Sequence, residues 1–162
     1  MKEVQKVAVV GGGTMGNGIA HVFAMAEIPV TLIETKQEFA ERALATIDKN
    51  LSRMVSKEKI SQSEKEAALD RIEVSLKVEE GVRGADLVVE AIPEVFELKK
   101  DLFRKVDAAA PKHAILASNT SSISITRLAS QTQRPEQFIG MHFFNPVPVM
   151  KLVEVINGLD TS

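Results

Sequence analysis

A glycine-rich turn between two apolar segments places the strongest constraint on the fold of this chain. Residues 6–20 read KVAVVGGGTMGNGIA, and the spacing G-x-G-x-x-G is formed by Gly11, Gly13 and Gly16. This spacing suits a dinucleotide when a strand precedes it and a helix follows. The first glycine then allows the tight turn, the second admits a pyrophosphate, and the third lets helix and strand pack closely. The alternative is one turn glycine and two helix glycines without a binding role.

The segments on both sides of the turn support dinucleotide binding. Apolar residues recur at helical spacing from Thr14 on, so Thr14 and Met15 are expected in a first helical turn whose free N–H groups favour phosphate. A predicted second strand at 29–34 ends in Glu34, about 20 residues after the loop, as the motif requires. A carboxylate there binds the adenosine ribose hydroxyls and repels a 2′-phosphate, which favours NAD over NADP. Lys36 weakens this preference, and Glu34 as a plain solvated charge is the alternative.

Strand-like and helix-like segments alternate along the whole chain. Short β-branched runs predict strands at 6–11, 29–34, 72–76, 85–92, 113–118, 137–144 and 150–156. Helical periodicity between them predicts an α/β fold with a doubly wound, mainly parallel sheet of the Rossmann type. The crossover at 37–73 holds two predicted helices, the second beginning with a Ser61-x-x-Glu64 capping box. We expect this crossover to project as a helical hairpin.

Composition excludes several classes of protein. The 162 residues, 44% of them apolar, suit one domain with a real core, and a net charge of −2 without basic blocks argues against nucleic-acid binding. Without cysteine there is no disulfide or thiolate site, and the three histidines lack metal-ligand spacing, so no metal is expected. The sequence has neither a secretory-signal pattern nor a membrane-spanning run, which predicts a soluble, cytoplasmic protein without membrane contact.

Polar residues that follow the later strands are candidates for chemistry, because ligands bind at the carboxyl ends of the strands in such sheets. A histidine suits proton removal from an alcohol, since its unperturbed pKa of about 6.5 lies near neutrality. His142 ends a predicted strand before a polar loop, and Glu154 is a candidate to orient its ring. Ser121 and Asn145 are available to polarise a substrate oxygen.

Each of these candidates also has a plainer interpretation. His142 could be an ordinary strand-end histidine and Glu154 an exposed edge-strand residue. Ser121 could cap the short helix that begins near Ser124. The other histidines, His21 within the first helix and one in a turn at position 113, are interpreted as structural or solvated.

Four segments together resemble the L-3-hydroxyacyl-CoA dehydrogenase family, including bacterial 3-hydroxybutyryl-CoA dehydrogenases. They read GGGTMGNGIA, DLVVEAIPE, ASNTSSISI and HFFNPVPVMKLVEVI, and the similarity covers nearly the whole chain. The resemblance implies NAD-dependent, reversible oxidation of a 3-hydroxyacyl-CoA to a 3-ketoacyl-CoA, in fatty acid β-oxidation or butanoate metabolism. Two alternatives stay open: a non-catalytic NAD-binding module, and a dehydrogenase of free 3-hydroxyacids.

The same resemblance implies roles for individual residues. It makes His142 the general base, Glu154 its orienting partner, Ser121 the contact to the substrate 3-oxygen and cofactor, and Asn145 a second polar contact near both ligands.

Four further residues are implied as ligand contacts. By the resemblance, Glu94 and Lys99 contact the cofactor, although Glu94 could be an ordinary first-turn helix acid. Asn50 and Lys57 match positions where the hairpin contacts coenzyme A, although Lys57 could simply be solvated.

Members of the family continue into a helical domain that closes the active site and forms a homodimer. We expect this chain to be part of such a longer enzyme; a natural single-domain NAD binder is the alternative. By itself it is expected to bind NAD and to turn over slowly or not at all, and its oligomeric state stays open.

Overall fold

The computed structural model describes residues 3–162 and contains one sheet flanked by helices. The strands are β1 Val7–Val10, β2 Val30–Ile33, β3 Ile72–Ser75, β4 Leu87–Glu90, β5 Ile115–Ser118, β6 Phe138–Phe143 and β7 Val153–Asn157. The helices are α1 Thr14–Met25, α2 Gln37–Ser56, α3 Gln62–Asp70, α4 Val78–Gly81, α5 Phe96–Ala109 and α6 Ile125–Ala129, with a 3₁₀ turn at Pro135–Gln137.

The strand order is β3-β2-β1-β4-β5-β6-β7. Strands β1 to β6 run parallel, and β7 joins the edge antiparallel to β6. The chain therefore winds outward in both directions from the junction of β1 and β4, which is where such sheets open a crevice for ligands. The predicted doubly wound, mainly parallel sheet is confirmed.

Most residues of the central strands are apolar because helices cover both faces of the sheet. All residues of β1, β2 and β4 are buried. One face packs against α1, α2 and α3 through residues such as Ile19 and Ile47. The other packs against α5 and α6 through Phe103 and Leu128. This two-sided core fixes the carboxyl ends of the strands in one row.

The predicted hairpin after β2 consists of α2 and α3. The Ser61 hydroxyl and the Glu64 carboxylate form the predicted capping box at the start of α3. Ile47 and Leu51 on α2 are fully buried in the same core cluster as α1. Part of the hairpin therefore packs in the core with α1, and the turn at 57–59 is exposed. That the hairpin projects stays a prediction.

Differences from the predicted elements concern short segments. The strand predicted at 85–92 is limited to Leu87–Glu90, because the chain on either side turns into loops. The single turn of α4 was not predicted, since four residues are too few to show helical periodicity.

One histidine lies inside the core. His21 on α1 is 2% exposed, and its Nδ1 atom has no hydrogen-bond partner among residues 3–162. Desolvation by burial lowers the pKa of His21 from its ordinary value. The folded protein therefore holds this imidazole neutral over a pH range in which the unfolded chain binds a proton.

We expect the free energy of unfolding to fall as the pH drops below about 6.5, because the unfolded state then takes up a proton on His21 that the folded state resists. One such group contributes at most about 1.4 kcal/mol per pH unit. Between about pH 7.5 and pH 5.5, the free energy of urea unfolding should fall less steeply with decreasing pH for His21→Leu than for the parent. Parallel pH curves would contradict this assignment.

Candidate active site

A cavity of about 1120 Å³ opens at the carboxyl ends of the central strands, beside the junction of β1 and β4. Most of the site residues predicted from the sequence line it together: Gly11, Gly13, Thr14, Met15, Glu34, Glu94, Lys99, Ser121, His142 and Asn145. Residues from five separate segments of the chain thus share one cleft.

The three glycines of the motif are suited to their positions for different structural reasons. Gly11 has φ +95°, and an added Cβ would lie 2.8 Å from the carbonyl oxygen of Ala91. A Cβ at Gly16 would lie 1.7 Å from the carbonyl oxygen of Gly11, so α1 approaches the end of β1 only without a side chain there. A Cβ at Gly13 would meet no atom within 4 Å. Gly11 and Gly16 thus shape the turn, whereas Gly13 keeps open space.

The geometry at the start of α1 fits a phosphate-bearing cofactor. Gly13 is the N-cap of α1, and within residues 3–162 the helix start has no side-chain cap hydrogen bond. The N–H groups of a first helical turn lack partners within the helix and favour an anion. Together with the open space beside Gly13, this arrangement suits a pyrophosphate and disfavours the interpretation of the motif as turn and helix glycines alone.

Glu34 lies at the end of β2, where backbone amides hold its carboxylate. Oε2 accepts a hydrogen bond from the Gly12 N–H at 2.9 Å, and Oε1 accepts one from the Thr35 N–H at 3.0 Å. A carboxylate has about four lone-pair sites, so acceptor capacity remains for two ribose hydroxyls. The side chain is therefore part of the cleft and not merely a solvated strand end.

His142 and Glu154 face each other across the antiparallel pair of β6 and β7. The imidazole Nδ1 lies 3.2 Å from Glu154 Oε2, and the two side chains are 24% and 53% exposed. A carboxylate accepts only, so Nδ1 carries the proton in this contact and Nε2 of the neutral ring is left as an acceptor. Phe144 packs on the ring, with centroids 4.7 Å apart.

Ser121 is exposed in the loop after β5 and lines the same cavity as His142. The N-cap of α6 is Ser124, whose Oγ accepts a hydrogen bond from the Arg127 N–H at 3.2 Å. The alternative interpretation of Ser121 as the helix cap is therefore wrong. Its position is explained instead by the hydrogen bonds of its loop.

That loop is held from two sides by residues that the sequence did not single out. Asn119 Oδ1 accepts a hydrogen bond from the Phe143 N–H at 2.9 Å, which joins the ends of β5 and β6. Thr120 Oγ1 and Ser122 Oγ donate to Glu94 Oε2 at 2.6 and 2.8 Å. Ser121 is thereby fixed between the half of the cleft that carries Glu94 and the half that carries His142.

A buried charge cluster lies beneath Glu94. Lys99 is 1% exposed, and its Nζ lies 2.5 Å from Glu90 Oε2, 2.9 Å from Glu94 Oε1 and 3.1 Å from the carbonyl oxygen of Ile92. These three contacts use all three N–H groups of the ammonium. Lys99 therefore holds Glu94 at the cleft, and its own contact with the cofactor stays a prediction.

Glu94 precedes α5, whose N-cap is Val95, so it is not a first-turn helix acid. Partial burial acts to raise the pKa of Glu94, but hydrogen bonds from Thr120, Lys99 and Ser122 outweigh it and hold the pKa below its ordinary value. The carboxylate therefore stays ionised at neutral pH. A charged residue at the end of the buried strand, Glu90, was the sequence signal for this cluster.

The two residues predicted to contact coenzyme A are separated. Asn50 lines a smaller cavity of about 370 Å³, next to Gly13 and Pro146. Lys57 is exposed immediately after α2 and lines neither of the two cavities. It lies about 10 Å farther along the helix axis, at 1.5 Å per residue. The structure thus brings Asn50 to the cleft and leaves Lys57 on the outer end of the hairpin.

Within residues 3–162 no group of three or more His, Cys, Asp or Glu side chains is placed to hold a metal ion. The helices formed by these residues include none with the length and apolar character needed to cross a membrane.

A doubly wound sheet, an uncapped glycine-rich helix start and a carboxylate at the end of β2 define a dinucleotide-binding domain of the dehydrogenase type. Comparison with known proteins gives the particular family. Residues 6–162 match the family model described as 3-hydroxyacyl-CoA dehydrogenase, NAD binding domain.

Individual relatives agree with the family model. The 3-hydroxybutyryl-CoA dehydrogenase of Bradyrhizobium diazoefficiens is 48% identical over 98% of this chain and 54% of its own length. Human mitochondrial hydroxyacyl-coenzyme A dehydrogenase is 44% identical over 98% of this chain and 52% of its own length. The crystal structure of (S)-3-hydroxybutyryl-CoA dehydrogenase from Ralstonia eutropha superposes with a TM-score of 0.96 at 44% identity, covering 99% of this chain and 56% of that one.

The chain belongs to the 3-hydroxyacyl-CoA dehydrogenase family and corresponds to its NAD-binding domain. It spans about half the length of the relatives that it matches. The cofactor of this domain is NAD, as predicted from the glycine loop and Glu34.

Two alanine substitutions should separate folding from cofactor binding. Gly13→Ala places a methyl group in open space, so stability should stay within about 1 kcal/mol of the parent, while NADH affinity falls about tenfold because the pyrophosphate position is obstructed. Gly16→Ala should lower the free energy of unfolding several times more than Gly13→Ala does, because the added Cβ collides with the Gly11 backbone. Thermal unfolding and NADH fluorescence titration measure both effects, and equal stability losses would contradict the assignment.

Removal of the Lys99 ammonium should be strongly destabilising. Lys99→Met leaves the Glu90 carboxylate buried without a cation, which costs about 3–5 kcal/mol. The double variant Glu90→Gln with Lys99→Met should recover part of this loss, because the uncompensated charge is gone. Urea unfolding at neutral pH tests both variants. A double variant less stable than Lys99→Met alone would show that the charge pair is not the cause.

Proposed function

We propose that this chain is the cofactor-binding and proton-transferring part of an NAD-dependent enzyme that oxidises 3-hydroxyacyl-CoA to 3-ketoacyl-CoA, and that catalyses the reverse reduction. The observation that carries the proposal is the contact of Glu154 Oε2 with Nδ1 of His142, a residue that lines the same cleft as the glycine loop. The names of the relatives support the reaction class.

The chemistry divides between the cofactor and the side chains of the cleft. NAD, when bound, supplies the acceptor for the hydride that leaves carbon 3 of the substrate. His142 Nε2 accepts the proton of the substrate hydroxyl, since Nδ1 is engaged by Glu154. Glu154 holds the ring in this orientation and stabilises the imidazolium that forms. For reduction the same imidazolium returns the proton to the 3-oxygen.

Ser121 and Asn145 are proposed to position the substrate. Both side chains are exposed on the cleft wall that also contains His142. A hydroxyl and an amide can donate hydrogen bonds to the 3-oxygen, which aligns the reacting carbon with the cofactor and the base. The anchoring of the Ser121 loop to Glu94 and Phe143 preorganises one of these donors.

A coenzyme A ester is favoured over a free 3-hydroxyacid as the substrate. The smaller cavity beside Asn50 extends the cleft along α2, and a short acid would leave this extension unused. A purely cofactor-binding module is disfavoured because it needs no carboxylate-paired histidine on its cleft wall. The homodimer and the cytoplasmic location implied for the whole enzyme stay predictions.

Replacement of the base tests the mechanism. With protein in excess of acetoacetyl-CoA and NADH, His142→Gln should slow NADH oxidation by about 10²–10⁴-fold, the usual contribution of a general acid or base. NADH affinity should change little, because the phosphate and ribose contacts are intact. His113→Gln is the control, since His113 pairs with Asp86 outside the cleft. An unchanged rate for His142→Gln would refute the assignment of the base.

The choice of substrate is tested with 3-hydroxybutyryl-CoA and free 3-hydroxybutyrate at equal concentration. We expect NAD reduction with the ester at least about tenfold faster, because remote binding energy of the CoA moiety positions the reacting carbon. Asn50→Ala should reduce this ratio, whereas Lys57→Ala should reduce it less, since only Asn50 lines a cavity. Equal rates with both substrates would favour the free-acid dehydrogenase.

A further inference from the structure

Two basic side chains lie beside the Glu34 end of the cleft. Lys36 Nζ lies 5.5 Å and Arg42 Cζ 5.8 Å from the centroid of the Phe39 ring. The ring lines the same cavity as Glu34 and Thr35, and Arg42 lines the adjoining smaller cavity with Gly12 and Gly13. Lys36 is the N-cap residue of α2, and both basic side chains lie next to the same Phe39 ring.

These two cations are not neutralised by a salt bridge within the part of the chain that the structure describes. Both side chains are exposed, and neither forms a salt bridge with any carboxylate among residues 3–162. The nearby Glu34 carboxylate is held by the Gly12 and Thr35 backbone amides instead. The positive charge at this corner is therefore available to an anion.

Lys36 and Arg42 lie where the 2′-phosphate of an NADP-type cofactor would bind. In dinucleotide folds the carboxylate at the end of the second strand accepts from the ribose 2′-hydroxyl and repels a phosphate there, while a nearby arginine accommodates the phosphate of NADP. Arg42 offers a planar, bidentate donor and Lys36 a point charge, which together suit a phosphate dianion. Of Glu34, Lys36 and Arg42, only Glu34 carries a charge that repels the phosphate.

We propose that Lys36 and Arg42 form a latent site for the 2′-phosphate of an NADP-type cofactor, which the Glu34 carboxylate keeps closed. The proposal rests on NAD binding in the cleft described above. Cofactor choice in this chain then depends on one charge and not on the shape of the pocket.

Glu34→Gln is the decisive substitution, because the glutamine amide oxygen still accepts from the Gly12 N–H while the charge is lost. NADH and NADPH dissociation constants are measured by fluorescence titration. We expect NADPH affinity to rise at least about tenfold, NADH affinity to fall by a smaller factor, and the gain for NADPH to shrink at high salt. Glu34→Ser repeats the test if the glutamine variant does not fold by circular dichroism.

Second substitutions assign the gain to the two cations. In the Glu34→Gln background, Arg42→Met and Lys36→Met should each remove most of the gain in NADPH affinity. Arg53→Met and Lys49→Met are matched controls, since both residues are exposed on α2 and line neither cavity. They should leave the gain intact.

The proposal is overturned if neither Glu34 variant gains NADPH affinity, or if the gain survives both Arg42→Met and Lys36→Met. It is also overturned if the control substitutions Arg53→Met and Lys49→Met reduce the gain in NADPH affinity by the same factor. Failure of the parent chain to bind NADH is a separate result. It would refute cofactor binding in the cleft and with it the function proposed above.

Discussion

The close approach of α1 to the end of β1 is the constraint on which the rest of the site depends. A side chain at Gly16 would collide with the Gly11 carbonyl, so the missing Cβ sets where the helix begins. The uncapped first turn of α1 then faces the opening between β1 and β4. Cofactor binding thus follows from a backbone contact, with Gly13 providing the space and Glu34 the ribose acceptor.

The remaining chemistry is brought to this opening by hydrogen bonds between strand ends. Glu94 links the segment after β4 to the loop after β5, and Asn119 links that loop to β6. The buried Glu90–Lys99 pair supports Glu94 from below. Buried charges of this kind are expensive unless fully paired, and here every donor of the ammonium is used. The cost of that cluster is offset by the order that it gives to one wall of the cleft.

The sequence predicted the architecture well because the local signals and the global fold agree. The apolar run at β1, the glycine spacing and the Ser61 capping box each identify an element that forms as expected. The pairing of His142 with Glu154 could be proposed but not located, since it depends on the antiparallel register of β7 with β6.

Other features of the site depend on tertiary contacts and could not be predicted from local sequence patterns. The hydrogen bond from the Phe143 N–H to Asn119 Oδ1 joins residues that are far apart along the chain, so no local sequence pattern predicts it. The burial of Lys99 and its three internal acceptors could not be predicted, because they are properties of tertiary packing. The packing of α2 on α1 could not be predicted either, because an apolar stripe on a helix does not identify the element that covers it.

The central claim is that the proton acceptor His142, oriented by Glu154, shares one cleft with the cofactor. Nitrogen-15 NMR of the histidine side chains, assigned with single His→Gln variants, tests this most directly. We predict that His142 carries a proton on Nδ1 and that its resonances shift on addition of NADH, while those of His113 do not. A His142 ring protonated on Nε2, or one indifferent to saturating NADH, would contradict it.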